Sequence, residues 1–141
     1  MNALLVVGRV LFSIVFFANG WAHVTKTKNL VGYAQFKKVP APKLSIQISG
    51  LLLILGALSI ALGVYADLGA LVIAVLMAIF AVKMHDFWTQ SDDQQKQNEK
   101  TQFLKDFALA GAALTLFVVV GSAAIGSDVI GPMIPDALFK L

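Results

Sequence analysis

Apolar residues along the chain gather into four long runs, roughly 3–24, 44–65, 68–86 and 103–125, with polar stretches between them. Each run holds about 19–23 residues, and a helix of that length, rising 1.5 Å per residue, crosses a hydrocarbon layer of about 30 Å. None alternates apolar and polar positions as a barrel strand does, and a bilayer cannot satisfy the backbone of an open strand. The pattern predicts an all-α fold, an integral membrane four-helix bundle forming one domain over residues 1–141. The first run lacks a basic region ahead of it, is interrupted by Arg9 and is followed by no clear A-x-A site. It therefore reads as a retained helix and not as a cleaved leader.

The connections differ in character. Residues 25–43, "TKTKNLVGYAQFKKVPAPK", carry Lys26, Lys28, Lys37, Lys38 and Lys43, and Pro40 and Pro42 stop a helix there. Leu30, Val31, Tyr33, Ala34 and Phe36 suit a short interfacial turn. Residues 87–102 are polar with both charge signs and read as a solvated connection. The link between the second and third runs is very short, centred on Ala66–Asp67, and predicts a tight helical hairpin. Beyond Ile125, glycines and prolines predict an irregular tail.

Composition strengthens the membrane reading. The chain is 58% apolar and 13% charged, against about 45–50% and about 25% in soluble domains. A sequence pI of 9.3 would suit nucleic acid, but the placement of the charges gives a different meaning. Nine lysines lie at the first and third connections, and only Arg9 and Lys140 lie at the other ends. By the positive-inside rule, 25–43 and 87–102 face the cytoplasm and both termini face outward. The expected surroundings are a lipid bilayer, with a protein partner or a second copy and no nucleic acid. With no cysteine, disulfides, thiolate metal sites and a thiol nucleophile are excluded, and a redox role needs a bound cofactor. No metal site is expected: Asp92 and Asp93 lack the spacing and the glycine turn of a calcium loop.

The chemistry sits in the few polar residues of the runs. Arg9, Phe16 and His23 are seven apart and share one helix face, with Asn19 at its border. Polar residues in a span turn inward, so this face is expected to look into the bundle. Arg9 lies near the outer end with two acids, Asp67 and Asp128. It suits either a structural ion pair that locks helix packing or an anchor for an anionic substrate. His23 and His85 fall near one depth on two helices. They suit amphipathic interfacial residues beside Trp21 and Trp88, or the two sides of a quinone headgroup, or the axial ligands of a haem b. Haem is disfavoured because only two histidines exist to hold it. Trp88, three on from His85, shares its helix face and offers an aromatic wall, whereas Asp86 points about 100° away. Lys105 and Asp106 read as an interfacial lysine and a first-turn acid. Small residues at packing spacing, such as Ala57 and Ala61, Ala70 and Ala74, or Gly111 and Thr115, permit close helix contact.

Taken together, "GRVLFSIVFFANGWAH", "GYAQFKKVPAP", "SGLLLILGALSIALGV", "MHDFW" and "TQFLKDFALAGAAL" resemble the DoxX family of small four-helix bacterial membrane proteins, to about Asp128. The resemblance implies a bundle in the cytoplasmic membrane and a loose association with quinone-linked redox complexes and thiol or oxidative-stress enzymes. Distant relatives act as membrane chaperones or cargo receptors. This chain departs from the pattern at Leu53, where many members carry a glutamate, and at Asp106, where many carry asparagine. Two readings follow. One is a subunit or accessory of a quinone-linked complex, touching its ligand through His23, His85, Trp88 and Asn19, and an enzyme only together with a partner. The other is a non-catalytic membrane scaffold. A transporter is disfavoured, since four short helices without broken spans offer little for alternating access.

Overall fold

A computed structural model describes residues 2–121. Its helices are α1 (Asn2–Thr25), α2 (Thr27–Phe36), α3 (Pro42–Leu62), α4 (Ala66–Met84) and α5 (Asp93–Gly121), with a 3-10 turn at Phe87–Thr89. Four of them, α1, α3, α4 and α5, are long and apolar enough to cross a membrane. Their outward faces carry Leu11, Leu55, Val82 and Phe107, each more than half exposed, which suits lipid and not water.

Local chemistry places the helix ends. Pro42 occupies the first turn of α3, where its missing N–H costs nothing. At the other end Gly63 takes the left-handed conformation, φ 75°, and its N–H bonds the Ser59 carbonyl, closing the helix. The tight turn is therefore Gly63–Tyr65, three residues before the expected centre, and Ala66 and Asp67 already form the first turn of α4. Two further expectations are revised. Residues 27–36 make a full helix in place of a short turn. The polar stretch 93–102 is the first part of α5, ten residues ahead of the expected start. Asp92 initiates it by accepting the Gln95 N–H at 2.8 Å, and the glutamines, lysines and glutamate that follow are good helix formers. Residues 122–125 of the expected fourth run, and the tail beyond, lie outside the described residues.

In the bundle α1 packs on α3, α3 on α4 and α4 on α5, while α2 lies against α3. The core joins Phe16 of α1, Leu53 and Ile60 of α3, Ile73 and Met77 of α4, and several alanines, among them Ala57, Ala74 and Ala113. Such small residues let apolar helices approach closely enough for dispersion to hold them. The crossing of α1 on α3 is close. A Cβ at Gly20 would stand 2.7 Å from the Gly50 carbonyl oxygen, and one at Gly50 would stand 2.6 Å from His23 Cβ. Gly111 and Thr115, by contrast, are exposed, and a Cβ at Gly111 would meet nothing within 4 Å among the described residues. All four long helices reverse direction in turn. One end of the bundle thus gathers the C-termini of α1 and α4, the N-termini of α3 and α5, and α2: the histidine end. The other is the arginine end.

Candidate functional site

The α1–α3 contact that buries Gly20 and Gly50 also fixes His23. Its Nδ1 lies 3.1 Å from Ser49 Oγ, and that hydroxyl spends its one hydrogen on the Ile46 carbonyl at 3.0 Å. The network thus assigns the ring hydrogen to Nδ1 and leaves Nε2 as the acceptor in the neutral ring. On its other side the ring meets Phe80 of α4, with centroids 5.9 Å apart.

His85 closes α4, its N–H bonded to the Ala81 carbonyl. Its ring reaches α5 at two places. Nδ1 is 2.8 Å from Glu99 Oε2, and Nε2 is 3.6 Å from Asp106 Oδ2. Glu99 also accepts at 3.0 Å from the Tyr33 hydroxyl of α2, which lies equally close to the Met84 carbonyl. Lys37, at the C-terminus of α2, is buried; its Nζ bonds Asp86 and lies 3.8 Å from Glu99. Burial and the hydrogen bond to Glu99 push the Tyr33 hydroxyl far above its ordinary range, so it stays a neutral donor. Three helices are thereby tied at one end by a network of buried and half-buried charges.

Beside this network lies a cavity of about 1040 Å³, large for a small-molecule site. Its polar lining includes Asn19, His23, Ser49, His85 and Asp106, and its walls are apolar, with Leu52, Leu76, Met77 and Leu109 among them. The lining also includes Val15, Ile48, Ile79 and Val82, which are 45%, 50%, 51% and 54% exposed. The cavity therefore opens sideways onto the apolar outer surface.

Three of the four ligand residues expected from sequence, Asn19, His23 and His85, meet in this one cavity. Trp88 is not in its lining. Because α4 ends at Met84, helical spacing does not carry from His85 to Trp88. Trp88 instead packs edge-on against Phe87 and Phe103, with centroids 5.2 and 5.9 Å away. Sequence reasoning missed Glu99, Lys37 and Tyr33. The signal for Glu99 was present: with α5 begun ten residues earlier, Glu99, Asp106 and the buried Ala110 fall on one helix face.

At the arginine end, Arg9 is 2% exposed and its Nη2 donates to the Ala61 carbonyl at 3.3 Å, in the last turn of α3. The guanidinium lies over Gly63, where a Cβ would come within 2.9 Å of Nη2. A cation there complements the helix dipole and supplies a donor to a last-turn carbonyl. Asp67 is fully buried in the first turn of α4, beside that same hairpin turn. Asp128 lies outside the described residues.

The DoxX family model matches residues 4–86, which takes in α1 through α4 and His85. The chain belongs to the DoxX family. This DoxX protein is accordingly an integral membrane protein, with four apolar helices suited to a bilayer. No curated protein and no solved structure matches it. The matched stretch covers Asn19, His23 and His85, whereas Glu99 and Asp106 lie beyond it.

Proposed function

We propose that this DoxX protein is the membrane subunit of a quinone-linked redox complex and holds the quinone at its histidine end. The observation that carries the reading is the cavity: one polar end, apolar walls and a side open toward lipid. A quinone needs that combination. Its ring requires hydrogen-bonding groups at opposed oxygens, and its isoprenoid tail requires an apolar exit into the bilayer. His23 Nε2 suits an accepted quinol hydroxyl, and Asn19 can donate or accept. With no cysteine in the chain, electrons are supplied by a partner protein. The lysine distribution supports a cytoplasmic histidine end in a bacterial inner membrane. At the arginine end, Arg9 acts as a packing lock together with an acid, Asp67 or Asp128. Its Nε and Nη1 are buried and make no hydrogen bond among the described residues, which leaves positions for a carboxylate.

The test is made on the chain purified in mild detergent, by extraction for quinone and an oxidised-minus-reduced visible spectrum. The expected result is about one quinone per chain, strongly depleted in His85→Ala. A colourless protein free of quinone in its native form would overturn this reading in favour of a membrane scaffold.

A further inference from the structure

His85 stands between two carboxylates on opposite sides of its ring. Glu99 faces Nδ1 and Asp106 faces Nε2, at 2.8 and 3.6 Å. A neutral imidazole has one N–H and can serve only one of them. The two acids differ in where they lead. Glu99 is at the polar end of α5 with its side chain 20% exposed, whereas Asp106 is buried and lines the cavity. The ring is the bridge between a group that meets water and a group that meets the cavity.

The surrounding charge points the same way. Asp86 and Glu99 converge on one buried lysine, Lys37, with Tyr33 a neutral donor to Glu99, while Asp106 meets the His85 ring. Lys83 and Lys105 also line the cavity but are exposed.

From this arrangement we propose that Glu99, His85 and Asp106 form a proton relay between the surface at the histidine end and the cavity. Glu99 takes a proton from water and passes it to His85 Nδ1. The ring gives up the hydrogen on Nε2 to Asp106, which presents it to the cavity. One proton enters, one arrives and no electron moves; the first tautomer returns when the ring takes a proton from water at Nε2 and loses the one on Nδ1 to water. The Nε2–Asp106 gap closes to hydrogen-bond length with a side-chain shift of about 0.6 Å. Lys37 and Tyr33 are positioning residues that hold the Glu99 carboxylate. The relay rests on the quinone reading only for what accepts the proton, since quinone reduction consumes protons where it takes place.

The experiment uses the full chain in lipid nanodiscs with 15N-labelled histidine, and measures exchange of the His85 ring N–H with water by NMR. The unaltered protein is expected to exchange rapidly, and Glu99→Gln and Asp106→Asn to slow it by at least about tenfold. Glu99→Asp and Asp106→Glu, which keep the acid and guard against a folding defect, are expected to restore it. Unchanged exchange in both amide variants overturns the relay. A water-soluble short-chain ubiquinone analogue is titrated into the same samples. Failure of the unaltered protein to bind it overturns the quinone reading, and the exchange result still decides the relay.

Discussion

Arg9 is the residue whose role changed most between chain and fold. As a lone cation in an apolar run, it suited a lock first and an anion anchor second. In the fold its guanidinium covers the end of α3, donating to Ala61 and resting on Gly63. Gly63 answers two demands at once, a positive φ of 75° and space for that guanidinium. Arg9→Leu removes the donor to the part-buried Ala61 carbonyl. The expected loss of stability is about 1.5–3 kcal/mol, the scale of a hydrogen bond to a charged group. Denaturation in mixed micelles measures it, and a variant as stable as the parent removes the lock. His23 was legible as an inward polar residue from its spacing with Arg9 and Phe16. Its tautomer was not, because that depends on Ser49 of another helix.

At the scale of elements, the informative case is α2. Its sequence carries apolar residues and lysines but no membrane-length run, and it lies against α3 at the end of the bundle. Lys37 holds it there. The side chain is 3% exposed and bonds Asp86, in the segment that follows α4. Lys37→Met keeps the aliphatic stem and deletes the charge, stranding Asp86 and weakening the hold on Glu99. The expected cost is about 1.5–3 kcal/mol, with the larger share appearing as release of α2. Hydrogen exchange followed by mass spectrometry should show protection lost over 27–36 and retained in α3. Equal protection in the variant would show that apolar packing alone seats the helix.

For the whole molecule, the open question is which end faces which compartment. Lysine counting predicts that the histidine end is cytoplasmic. The absence of cysteine makes the test clean, since one introduced thiol is unique. Ser91→Cys, in the polar connection, is expected to resist a membrane-impermeant maleimide in intact cells and to react after lysis. Tyr65→Cys, in the turn at the arginine end, is expected to react in intact cells. The reverse pattern would invert the topology and place the proposed quinone site on the outer side.

The sequence by itself determined the apolar spans, their number and their hairpin order, because hydrophobic length and helix-stopping residues are local properties. It also determined that Arg9 and His23 belong to the inward face of α1, with Asn19 at its border, since burial of polar groups is forced by the solvent; in the fold Asn19 is exposed and reaches the cavity from that border. The family resemblance was legible in short motifs spread over most of the chain. Only the tertiary structure decided which polar residues meet. Glu99 reads as one charge in a solvated stretch until α5 runs back to Asp93 and sets it against His85 and Tyr33. Trp88 reads as a partner of His85 until α4 stops at Met84 and turns it toward Phe103. Both outcomes depend on where a helix starts or ends. Those limits are set by small differences between capping, propensity and packing, whereas a span of twenty apolar residues is set by a large one.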